Sequence, residues 1–194
     1  MDDNLKEELN YTTDILTKTG FYSNDEILEV LEDEFIGEDV DFDSIIISSP
    51  NFDNSNFSIL EDSFTDLANK DIIAIHNCGY DIEEGVNDAF ELFIHLKNNK
   101  LNPEGFCFYT FEDIEEAINE KTLKITFGDF ENNEQKALEI GKIVFNTLKE
   151  HNLKVKWDET INNQIEIAFE WDKKYDPHSD YEMEGAFEEF IKSH

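Results

Sequence analysis

At 194 residues and 22.7 kDa, 39% of them hydrophobic, the chain can build one sizeable core and is too short for more than one full domain with a small accessory piece. Its 47 Asp and Glu stand against fifteen basic residues, all of them lysine, for a formal net charge of −32. That balance disfavours free nucleic acid and anionic membrane surfaces, which both need a basic stripe, while seventeen Phe, six Tyr and two Trp are too much aromatic mass for a solvated acidic tail.

The acidity is uneven. Residues 1–66 carry nineteen acids and two lysines, residues 121–156 five acids and seven lysines, and from Thr19 to Asn69 there are fourteen acids and no base. Ion pairing within that last stretch cannot neutralise it, so it must face solvent or a cationic partner.

In chain order, Leu5, Leu9 and Leu16 recur at helical spacing until Gly20. Ser23 with Glu26 then forms a capping box with Tyr22 and Ile27 as its hydrophobic staple, and Ile27, Leu28, Leu31 and Phe35 give the apolar face of a second helix ending at Gly37. These two helices make an N-terminal segment, 1–39. Residues 40–57, with Pro50, scattered Asp and Asn and the short run Ile45-Ile46-Ile47, read as an acidic linker with room for one edge strand.

The main domain is expected over 58–175. A capping box of Ser58 and Glu61 opens a helix bearing Leu60, Phe64, Leu67 and Ala68, and 71–76 is a buried strand leading into the turn Asn77-Cys78-Gly79-Tyr80. Asp81 caps a helix whose inward residues are Val86, Ala89, Phe90, Phe93 and Ile94. A strand over 105–109 leads to a short helix capped by Thr110 and Asp113, and Leu123, Ile125 and Phe127 alternate as a further strand. A long helix over 132–151 presents Ile140, Gly141, Val144 and Leu148. The last two strands carry Leu153, Val155 and Trp157, then Ile165, Ile167, Phe169 and Trp171, on one face and charges on the other, which implies a sheet with one dry and one wet face. A helix within 176–194, with Met183, Ala186, Phe187, Phe190 and Ile191, packs on this domain. The expected fold is α+β: a two-layer α/β sandwich with a mixed sheet ending in an antiparallel hairpin, preceded by a small helical segment.

Chemistry-bearing groups are few. Asp39, Asp41 and Asp43 begin like a calcium loop, but Ser44 and Pro50 occupy the positions that need Gly and Glu. His76, Asn77, Cys78 and Tyr80 gather at a strand end, where α/β sheets present ligands, and Tyr109, Glu112 and Asp113 follow the next strand. The two groups meet only if those strands are parallel neighbours. Glycine-rich phosphate loops, GxSxG and paired metal-ligand spacings are absent, and Cys78 and Cys107 form no CxxC pair. No catalytic residue, metal or cofactor is assigned.

The NCG turn at 77–79, the GFCFYTFED strand-to-helix passage and the VKWD strand end at 155–158 resemble an uncharacterised bacterial domain family of unknown function, over roughly Asp14 to Trp171. The resemblance implies a fold and no activity. The resemblance implies that some relatives hold further cysteines near the turn, with a metal or redox use there, where this chain keeps only Cys78.

The functional expectation is a non-enzymatic, immunity-like or inhibitor-like module that binds a basic protein through Asp25, Glu29, Glu32, Asp33, Asp39, Asp41 and Asp43. The alternative is a small-molecule-binding protein or enzyme using the turns at His76–Tyr80 and Tyr109. The opening MDDNLKEELN lacks the regions of a secretory leader, and no run has the length of a membrane span, so the expected compartment is the cytoplasm.

Overall fold

The alternating and helical patterns fold, in a computed structural model that describes residues 3–194, into an α+β architecture with seven helices and a five-stranded mixed sheet among the described residues. The chain divides into two units: one runs to Asn54 and takes in Asp172–His178, and the other comprises Ser55–Trp171 and Ser179–His194.

In the first unit, α1 (Asp3–Thr19) packs on α2 (Asn24–Glu34), burying Leu9, Ile15 and Leu16 with Ile27, Leu31 and Phe35. Gly20 ends α1 in the left-handed region, at φ +71°, and a Cβ there would overlap the Lys173 carbonyl, so only glycine fits. Lys173 is itself buried: its ammonium donates to the Gly20 carbonyl at 2.8 Å and lies 4.5 Å from the Phe21 ring centre. The Ser23–Glu26 capping box forms as the spacing predicts. The possible edge strand at Ile45–Ile47 does not. A single 3₁₀ turn (Phe42–Ser44) stands before it, and the chain that follows joins no ladder among the described residues.

The second unit contains α3 (Ser55–Ala68), β1 (Ile72–Ile75), α4 (Ile82–Asn98), β2 (Gly105–Phe108), α5 (Phe111–Glu120), β3 (Thr122–Gly128), α6 (Glu134–Glu150), β4 (Lys154–Lys156), β5 (Ile165–Ala168) and α7 (Glu182–Lys192). Strand order is β1-β2-β3-β5-β4. β1 and β2 run parallel, with Ile75 beside Phe108, and every other pairing is antiparallel, ending in the β4–β5 hairpin.

At the hairpin end the sheet has a dry and a wet face: Ile165 and Ile167 are buried, while Lys156 on β4 and Lys124 on β3 both stand opposite Glu166. Over β1 and β2 helices cover both faces. Ile73, Ile75, Phe106 and Phe108 meet Leu92, Leu96 and Phe190 from α4 and α7, while Gly105, on the opposite face, lies against Ile140 of α6.

Two helices differ from their sequence reading. α3 begins at Ser55 rather than Ser58, after Asn54 in the left-handed region, so Ser58 and Glu61 lie inside the helix. α4 turns Gly85, Ala89, Leu92 and Leu96 inward and leaves Ile94 56% exposed, because Gly85 allows α4 to lie directly on the Phe108 ring.

Candidate functional site

Parallel pairing of β1 with β2 makes the residues that leave their carboxyl ends, His76 and Tyr109, neighbours on the face covered by α3. A 2.7 Å hydrogen bond joins His76 Nδ1 to the Tyr109 hydroxyl. Phe64 of α3 stacks on the imidazole at 4.4 Å and 22°, and Phe57 and Tyr181 close around it at ring-centre distances of 5.4 and 5.7 Å. The Tyr181 hydroxyl donates to Glu61 Oε1 at 2.8 Å, and Asn77 Nδ2 donates to Glu182 Oε1 at 2.8 Å. Tyr109 is fully buried. Burial, reinforced by the neighbouring Tyr181 and Glu61, pushes its phenol well above the ordinary value, so it stays a neutral hydrogen-bonding group.

The adjoining turn is held by backbone bonds. The Cys78 N–H donates to the Tyr109 carbonyl, that of Phe111 to Gly79, and that of Glu112 to Tyr80. The Cys78 side chain points into the core, where its thiol donates to the Gly85 carbonyl at 3.4 Å. Burial drives its pKa far above the usual thiol value, and that removes the thiolate a nucleophile needs. Tyr80 is 56% exposed and stacks on Phe111, and Glu112 is exposed beside them. Asp113 belongs to another network: its carboxylate accepts from the Thr110 N–H at 2.9 Å and from Gln164 Nε2 at 3.3 Å.

Tertiary pairing thus brings His76 and Tyr109 into contact, seats Cys78 as a packed thiol, and assigns Asp113 to the start of α5. Sequence reasoning missed Phe57, Glu61, Tyr181 and Glu182, which complete the surroundings of His76 and Asn77. Tyr181 and Glu61 are 120 positions apart, and no local pattern links them.

The seven predicted acidic contacts all lie exposed in the first unit. Asp25, Glu29, Glu32 and Asp33 occupy the outer side of α2, opposite Ile27 and Leu31, and Asp39, Asp41 and Asp43 line the segment around the 3₁₀ turn. No base stands in the last turn of α2. The carboxyl of Glu34 is pushed up by burial and by Glu8.

Among the described residues no group of His, Cys, Asp or Glu converges as metal ligands would, and no helix is long and apolar enough to cross a membrane. Compared with known proteins, residues 53–175 match the model of a family described as Domain of unknown function (DUF6891). No curated protein and no solved structure matches the chain.

Proposed function

We propose, on the premise that the chain belongs to the DUF6891 family of unknown function, that it is a non-enzymatic acidic module which binds a basic protein through Asp25, Glu29, Glu32 and Asp33 of α2 and the adjoining Asp39, Asp41 and Asp43. The observation that carries this reading is where the acids sit on α2. Glu32 and Asp33 lie at the helix's carboxyl-terminal end, where the dipole disfavours negative charge, and no base is there to compensate. Asp25, Glu29 and Asp33 repeat at every fourth position, and like-charge pairs at that spacing cost an isolated helix about 0.2–0.5 kcal/mol each. The helix therefore carries its charge against its own stability, as a surface shaped by an external cation would. A concentrated negative field of this kind speeds association with a basic surface. The mode of action is that of an immunity protein or inhibitor, and a reducing compartment such as the cytoplasm suits its buried thiols, Cys78 and Cys107.

The experiment is capture of a basic partner at low salt, followed by affinity measurement with the purified pair. Reversing Asp25, Glu29, Glu32 and Asp33 to lysine is expected to abolish the complex, and added salt to weaken it steeply, whereas His76→Ala and Cys78→Ala leave it intact. A complex indifferent to both salt and those charges overturns the reading.

A second reading, a small-molecule site or enzyme at His76–Tyr80 and Tyr109, has the 2.7 Å His76–Tyr109 pair in its favour. Against it, Tyr109 is buried, Cys78 is held as a thiol, and four aromatic rings pack around the imidazole. Loss of a small ligand's binding in the His76→Ala variant, with the fold intact, would favour it.

A further inference from the structure

Beside α1 the first unit holds a groove of about 480 Å³, within the range of ligand-binding clefts of roughly 300–1,000 Å³. One wall is α1, from Lys6 through Leu9, Thr13 and Asp14 to Thr17, and the other is the segment from Asp41 through Ile45 and Ile46 to Ser48. The Thr13 and Thr17 hydroxyls are turned back onto their own helix, donating to the carbonyls of Leu9 and Thr13. That wall therefore offers the threonine methyl groups between the polar side chains of Lys6, Asn10 and Asp14.

The opposite wall is unlike any strand of the sheet. Ile45 has extended dihedrals, φ −73° and ψ 126°, and beyond it the chain stays without helix or ladder. Among the described residues, the backbone N–H and C=O groups of Ile46–Asn51 make no hydrogen bond within the chain. Ile46 itself is 86% exposed. An extended segment with unused backbone groups and an outward apolar side chain is a template for strand addition. The surroundings set the chemistry of the strand it accepts, since Asp14 and Asp41 are in the groove walls against one base, Lys6, Asp39 and Asp43 flank it, and no base occurs from Thr19 to Asn69.

We infer that this groove takes up an extended, lysine- or arginine-bearing segment of the partner, which pairs by backbone hydrogen bonds with the edge at Ile45–Ser48. Alternate side chains of the added strand enter the groove against Leu9 and Thr13, and the intervening cations reach the carboxylates around Asp41. The inference rests on the acidic-module reading and deepens it by naming the form of the ligand and its seat. It also accounts for Ile45-Ile46-Ile47, a strand-like run that has no strand partner among the described residues.

The test uses the full chain and a capped synthetic peptide alternating lysine and valine. Its twin carries N-methyl groups on alternate residues, which removes backbone donors from one edge and leaves the charge unchanged. The parent peptide is expected to bind at low salt and to shift the amide resonances of Ile45–Ser48, and the twin to bind about tenfold more weakly, a loss of about 1.4 kcal/mol. The substitution Ile46→Pro removes an N–H that bonds nothing among the described residues, and it follows a residue already in the extended region that precedes proline. It is expected to weaken the parent about as much as N-methylation does, with the thermal midpoint unchanged. Equal affinity of parent and twin overturns strand pairing and leaves the acidic-module reading standing. Absence of peptide binding while a salt-sensitive complex with a basic protein persists overturns the groove as the seat, and absence of both overturns the two proposals together.

Discussion

Ser23 with Glu26 at the start of α2 and Thr110 with Asp113 at the start of α5 close the same reciprocal pair of hydrogen bonds, one box in each unit. The first is exposed. Its Glu26 carboxylate accepts the Ser23 N–H at 2.7 Å, and that bond holds the group below its ordinary pKa. The second is buried, and there desolvation prevails over bonds of similar length from Thr110 and Gln164, so Asp113 is held above its ordinary value. One local motif acquires opposite electrostatics from its surroundings.

The same contrast runs through both units. In the second, acids are matched to lysines: Glu116 with Lys124, Glu104 with Lys136, and Asp66 and Glu150 with Lys70. In the first, α2 has no base in its last turn and its acids face outward. These acids of the second unit are used within the fold, whereas those of α2 are presented to the outside.

The largest effect expected is on the buried side. Phe108 is fully buried between Phe106 and the α4 backbone at Gly85, so Phe108→Ala should cost about 3–5 kcal/mol, measured by urea unfolding. A cost near zero would break the picture of a core covered on both faces. Next come the boxes themselves. Asp113→Ala strands the buried Thr110 N–H and should cost about 1–3 kcal/mol. Glu26→Ala leaves its donor to water and should cost about 0.5 kcal/mol, near the lower end for capping changes.

The pH dependence of stability should then separate the boxes by sign. The folded chain binds the Asp113 proton more tightly than the unfolded chain does, so stability from this group rises as pH falls from its raised folded value toward the unfolded value of about 4. Glu26 is the reverse: its contribution is present above the unfolded value of about 4.3 and lost as pH falls through the lowered folded value. Urea titrations from neutral to acid pH of the parent chain, Asp113→Asn and Glu26→Gln should give difference curves of opposite slope, and equal slopes would remove the distinction. The smallest effect is Asp33→Lys, which places a cation at the carboxyl-terminal end of α2 and should raise stability by about 0.3 kcal/mol while weakening binding of the basic partner. A destabilised variant would mean that Asp33 serves the fold.

Features set within one turn of helix or a few residues of strand were legible in advance. The caps at Ser23, Asp81 and Thr110 form as spacing predicts, because an N-cap and the N–H groups it satisfies lie within three residues. The α+β class and the closing hairpin follow from alternation at Ile165 and Ile167. Where several local solutions competed, tertiary context chose. Ser58 and Glu61 have capping-box spacing, yet Asn54 adopts a left-handed turn and the helix starts at Ser55, which frees Glu61 to accept from Tyr181. The inward face of α4 follows Gly85 and Leu92 rather than Phe90 and Ile94, since close approach to Phe108 sets the helix's rotation. The surroundings of His76 were the least legible, being assembled from α3, β2 and the Tyr181 segment.

By itself the sequence determined the class of fold, the positions of most helix starts and the concentration of acid before Asn69, because propensity, capping and charge act over short distances along the chain. Only the tertiary structure decided that β1 and β2 lie parallel, that His76 meets Tyr109, that Cys78 and Asp113 are buried while Glu26 is not, and that the run at Ile45–Ile47 has no partner strand among the described residues. Each of these depends on which distant segment supplies the neighbour, and burial by that neighbour sets both the packing and the sign of the electrostatics.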